Sequence, residues 1–104
     1  MNVTIREQPP HTVIGIVGEI TIYNVTKLND TVGTVADGSV RSLVIDLERV
    51  TAIDSNGIAA LYAAKRKIES TKGSFYIANP MPSIRNVLKL TGLSFNFIDL
   101  SASA

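Results

Sequence analysis

A chain of 104 residues is long enough for one domain and too short for two. Its 45 % hydrophobic and 18 % charged residues are an ordinary globular balance, and the absence of cysteine excludes disulfides and thiolate metal sites. A formal net charge of +1 gives no long-range field, so neither nucleic acid nor membrane insertion is expected. The opening MNVTIREQPP lacks the basic start and apolar core of a secretory signal, and no run is long enough to span a bilayer. The expected location is the cytoplasm, and the Asn-x-Ser/Thr triplets at Asn2, Asn24 and Asn29 then read as chance matches.

VTIREQ alternates, with Val3 and Ile5 inward, as a half-buried strand does. Pro9 and Pro10 make a turn before a second strand, TVIGIVGEI, which predicts an antiparallel hairpin. Val25, Leu28, Val32 and Val35 recur at helical spacing, with Asn24 as a possible N-cap. After the polar break ADGSVRS, the branched run LVIDL is expected to be a central strand covered on both faces. Residues 56 to 69 read as a second helix, with Ile58, Leu61, Tyr62, Lys65 and Ile68 on one face and Gly73 as its stop. SFYIANP is a further strand, and PSIRNVLKLTG a third helix with Pro82 near its start and Ile84, Val87 and Leu88 as its stripe. FNFIDL is expected to be a last strand and SASA a loose tail, residues 100 to 104 lying outside the packed domain. The order β-β-α-β-α-β-α-β predicts an α/β domain with a mostly parallel sheet, begun by one antiparallel hairpin and packed with helices.

Catalytic chemistry finds little support. His11 is the sole histidine and follows two prolines, where a surface role is expected, and with no cysteine present no metal site and no cofactor is expected. A triad of Ser55, His11 and Asp54 would need glycine two residues before the serine, and Ile53 stands there. GTVADGSV has the glycine spacing of a phosphate loop, but Ser39 and Val40 replace its lysine and hydroxyl. Lys65, Arg66, Lys67 and Lys72 suit a helix C-terminus and lack the interleaved aromatics of a single-strand binder.

The informative stretch is AIDSNGIAAL, an acid, a hydroxyl, an amide and a glycine between an apolar strand and an apolar helix. Either Ser55 or Asp54 can be the N-cap of that helix. A phosphate on Ser55 would be favoured by the positive helix end and repelled by Asp54, changing the surface without changing the fold. Ser55 is thus expected to cap the helix when bare and to hold a phosphate there when modified, with Asp54 a flanking charge that makes the modified state conspicuous. Ala59, Ala60, Ala63 and Ala64 keep the helix low in relief, some facing the sheet and others solvent.

VIDLERVTAIDSNGIAAL resembles the signature of STAS domains, specifically the bacterial anti-sigma factor antagonists: an apolar strand ending in Asp-Leu, then Asp-Ser-x-Gly opening a helix. VGEITIYNVTKL and LKLTGLSFNFIDL are similar to that family's first-helix segment and closing helix and strand, so that residues 1 to 104 read as a single STAS domain. The resemblance implies a non-enzymatic partner switch. The unphosphorylated antagonist binds an anti-sigma factor that is a serine kinase, which frees the sigma factor. Phosphorylation abolishes binding, and a phosphoserine phosphatase resets the system. Carried onto this chain, the phosphorylation site is Ser55. The implied partner surface is Thr21, Ile22, Tyr23 and Asn24 with Asp54, Ser55, Asn56, Gly57, Ile58, Ala59, Ala60 and Ala63. Two positions depart from the family: Thr21 stands where many members have Asp, and Asn56 where many have a second hydroxyl, leaving Ser55 as the sole hydroxyl between Ala52 and Tyr62. The competing expectation is a non-switching binding module, such as an accessory subunit of a lipid transporter or a component of a signalling complex.

Overall fold

A computed structural model describes residues 1–100. The chain runs β1 (Asn2–Gln8), β2 (His11–Ile20), α1 (Val25–Val35), β3 (Ser42–Ile53), α2 (Ser55–Ser70), β4 (Ser74–Ala78), α3 (Pro82–Leu90) and β5 (Phe97–Ile98), in the expected order. The five strands lie side by side in chain order. β1 and β2 are the antiparallel hairpin, and every later pair is parallel. Each helix therefore steps the chain one strand further in the same direction, and right-handed crossovers of that kind put all helices on one face.

That face holds the main core. Leu28 and Val32 of α1, Leu61, Ala64 and Ile68 of α2, and Ile84 and Leu88 of α3 close over Ile14, Ile16, Leu43, Ile45, Phe75 and Ile77. Each fully buried Leu, Ile or Phe contributes about 1.5–3 kcal/mol. The opposite face carries no helix. Val13, Val44 and Ala78 are covered there by Tyr76, Ile98 and Leu100, so LVIDL is buried on both faces but by different means.

Several local expectations change. β3 extends through ERVTAI to Ile53, because after Asp46 it pairs only with β2 and one flank is open to water. Ile5 is largely exposed on the edge strand, whereas Val3 packs against the core. His11 is not surface filling: it begins β2, half-buried, with Nδ1 2.7 Å from Ser42 Oγ and its ring edge-on to Tyr76. Val87 is partly exposed, leaving Ile84 and Leu88 as the buried stripe of α3. The last strand shrinks to Phe97–Ile98. Leu100 is not loose, since its backbone N–H and C=O both bond the Asn79 side chain, and the SASA tail itself lies outside the described residues.

Two glycines are required by close approach. Lys72, not Gly73, takes the left-handed conformation after α2 (φ 65°), and a Cβ on Gly73 would stand 2.7 Å from Ile68 Cγ2. At the other end of α2, a Cβ on Gly57 would be driven into the Ile20 carbonyl oxygen and would lie 2.7 Å from Ile53 Cγ1. Gly57→Ala must push α2 off the sheet edge and is expected to cost about 1–3 kcal/mol. Urea denaturation measures it, and an unchanged midpoint would mean that this contact is not tight.

Candidate functional site

β2 and β3 are parallel neighbours, and Ile20 pairs with Ile53 at their ends. The segments that leave the two strands therefore emerge at the same edge of the sheet, 33 residues apart in sequence (20 to 53) and side by side in space. Residues 21–24 form a tight turn into α1, and residues 54–57 form the first turn of α2.

Asp54 is the N-cap of α2, with extended backbone (φ −107°, ψ −177°) and Oδ1 accepting from the Gly57 N–H at 2.9 Å. Its other oxygen, Oδ2, accepts from the Ile22 N–H at 3.0 Å. Its own N–H donates to the Ile20 carbonyl at 3.2 Å. The amide of Gly57 first, then that of Ile22, holds the Asp54 carboxyl below the ordinary carboxylate range, against the opposing effect of burial. Ser55 is the first helical residue and is exposed. The capping role thus falls to Asp54 alone, and the expectation that the bare serine caps the helix is corrected. Asp54 is likewise more than a flanking charge, since it binds two segments together.

The turn at 21–24 is self-supporting at its base. The Thr21 carbonyl accepts from the Asn24 and Val25 N–H groups at 3.0 and 2.9 Å. Asn24 occupies the N-cap position of α1 without capping it. Its Oδ1 accepts from the Thr21 N–H at 2.8 Å and its Nδ2 donates to the Glu19 carbonyl at 2.7 Å. Thr21 Oγ1 accepts from the Tyr23 N–H at 3.3 Å, so this hydroxyl serves its own turn. The product is a fixed loop with apolar side chains in water: Ile22 is 58 % exposed and Tyr23 95 %.

The structure brings Thr21 to Asn24 and Asp54 to Ile58 together at one edge. Ala59 and Ala63 are exposed and Ile58 is half-buried, whereas Gly57 and Ala60 face the sheet and shape the surface from beneath. The site is an exposed surface, and a cavity of about 790 Å³ on the helix-free face around Gly15 includes none of residues 21–24 or 54–63. Among the described residues no three His, Cys, Asp or Glu side chains gather as metal ligands. None of the helices described is long and apolar enough to cross a membrane. The bond from Ile22 to Asp54 had no signal in the sequence, because it depends on strand register.

Asp54→Asn keeps a capping side chain and removes the charge. Because the folded carboxyl lies below its unfolded value of about 3.9, its contribution is complete above that value and is lost as pH falls through the folded one. The wild type is therefore expected to lose more urea stability than Asp54→Asn between about pH 5 and about pH 2. Parallel losses in the two proteins would show that these bonds contribute nothing.

Comparison with known proteins places this geometry. Residues 2–103 match the STAS domain family. The anti-sigma F factor antagonist of Lysinibacillus sphaericus is 27 % identical over 82 residues, covering 78 % of this chain and 70 % of that protein. An anti-sigma factor antagonist from Mycobacterium paratuberculosis superposes with a TM-score of 0.84 at 27 % identity, over 98 % of this chain and 87 % of the other. The phosphorylated form of SpoIIAA, a Bacillus cell fate determinant, shares the fold with a TM-score of 0.77 at 23 % identity, over 98 % and 94 % of the two chains. The hairpin-led five-stranded sheet with its three helices is that of a STAS domain, and the chain belongs to the STAS family.

Proposed function

We propose that this domain is an anti-sigma factor antagonist that works by partner switching. In the unmodified state it binds an anti-sigma factor serine kinase through the 21–24 turn and the first turns of α2, and the bound sigma factor is released. The kinase transfers the γ-phosphoryl group of ATP to Ser55 Oγ: the new O–P bond replaces the bond to ADP, and the hydroxyl proton is lost. The complex then dissociates, and a phosphoserine phosphatase hydrolyses the ester and restores the serine.

The observation that carries this reading is the exposed Ser55 at the first turn of α2, beside the exposed apolar side chains of Ile22 and Tyr23. Exposed aromatic and aliphatic anchors are what a protein partner buries. A group carrying about −1.5 to −2 charges beside them must stay hydrated, which opposes that burial. The free N–H groups and dipole of the helix start make the phosphate tolerable to the domain itself. Relatives that are anti-sigma factor antagonists support the same reading. The domain is then a substrate of enzymes.

With the cognate kinase and ATP, mass spectrometry is expected to find one phosphate on the peptide containing Ser55, and none in Ser55→Ala. Ser55→Ala should bind the kinase as the wild type does. Ser55→Asp should bind on the order of tenfold or more weakly, a change of about 1.4 kcal/mol or greater. Tyr23→Ala should weaken binding by about 2 kcal/mol, the scale of an interface anchor. A Ser55→Asp variant with wild-type affinity would overturn the switch and favour a non-switching binding module.

A further inference from the structure

The Asp54 carboxylate spends its two oxygens on two different segments. Oδ1 holds the Gly57 N–H of α2, and Oδ2 holds the Ile22 N–H of the preceding turn. Among the described residues this second bond is the one hydrogen bond between the turn at 21–24 and the start of α2. The remaining bonds of the turn run within it, back to Glu19 or forward into α1.

We propose that Asp54 is the positioning residue through which the state of Ser55 reaches the Ile22–Tyr23 tip. With the serine bare, the carboxylate fixes the tip. With a phosphate there, the carboxylate is displaced from Ile22 and the tip is released. This rests on the proposed phosphorylation of Ser55 and adds how that modification acts on residues beyond its own contacts.

Three observations give the direction. Ser55 immediately follows the cap, so its phosphate would sit beside Oδ1 at the same N–H end of the first turn, and the phosphate carries the larger charge. Among the described residues Asp54 takes part in no ion pair, the pairs being Arg6–Asp46 and Lys65–Glu69. Like charges on neighbouring residues then repel, and the side that can yield is the bond to Ile22, which closes no helical turn. The base of the turn stays in place, because Asn24 still bonds Thr21 and Glu19, and the Val25 N–H still bonds the Thr21 carbonyl. The release is local: Ile22 and Tyr23 loosen while Asn24 and Val25 do not. The partner then meets a surface whose apolar anchors must be re-ordered on binding, an added cost even where the phosphate itself is not touched.

The test is amide hydrogen exchange, resolved by residue with NMR, on the full chain with phosphoserine installed at position 55 during translation. The Ile22 amide is expected to exchange on the order of tenfold faster than in the unmodified protein, the scale of one lost charge-assisted hydrogen bond. The Val25 amide should be unchanged. In Asp54→Asn the single side-chain carbonyl can serve Gly57 or Ile22 but not both. The Ile22 amide should then be fast already, and phosphoserine should accelerate it no further. That loss of coupling separates a positioning role from a general structural one. Unchanged Ile22 exchange on phosphorylation, or equal acceleration of Ile22 and Val25, overturns the inference. The phosphoserine protein alone decides this even if Asp54→Asn does not fold. The switch itself stands or falls on a separate reading, the affinity of the phosphoserine protein for the kinase.

Discussion

The parallel register of β2 against β3 is the constraint on which everything else depends. With Ile20 opposite Ile53, two loops distant in sequence leave the sheet at one edge. α2 can then start directly over the end of β2 only if its third residue has no side chain. Gly57 meets that condition, and the approach in turn brings the Asp54 N–H to the Ile20 carbonyl and the Asp54 carboxylate to the Ile22 N–H. A register slip of one residue would turn the side chains of β2 to the wrong face and separate the two halves of the site. The buried faces of Ile14, Ile16, Leu43 and Ile45 make that slip expensive, so the core fixes the site at a distance.

The two faces of the sheet differ in consequence. One carries all three helices and most of the apolar core. The other is covered by side chains alone and has a shallow polar groove, crossed by the Arg6–Asp46 ion pair at 3.2 Å. Exposed surface pairs of this kind contribute little to stability. The apolar groups presented beside Ser55 lie at neither face but at the sheet edge, where short loops hold them rigid without burying them.

Much of this was legible in the sequence where a pattern is local. The alternation of β1, the branched run of LVIDL and the helical spacing of α1 to α3 gave the order of elements, because each segment buries its own stripe. The resemblance carried by Asp54, Ser55 and Gly57 gave the family. What could not be read depends on neighbours remote in sequence. β3 outran its apolar run because its second half still pairs with β2, and FNFIDL shrank because only Phe97 and Ile98 find partners on β4. The roles of Asp54 and Ser55 at the helix start were ambiguous by residue type, since both cap well, and only the backbone decides between them. Asn24 misled for the same reason: it stands at a cap position but bonds backward, into the turn it closes.

That the cap is Asp54 leaves Ser55 with no structural duty, and this has a bearing on turnover. A residue that held the helix would, on modification, lower the stability of the domain and expose it to proteolysis in proportion to the unfolded fraction. Under the proposed phosphorylation, the ester would form on a hydroxyl that makes no cap bond, and the Asp54–Gly57 bond that caps α2 would be kept. On that reading, modification would leave the fold of the domain, and with it its resistance to proteolysis, largely intact. The ratio of the two forms would then record the opposing rates of the proposed kinase and phosphatase more than degradation.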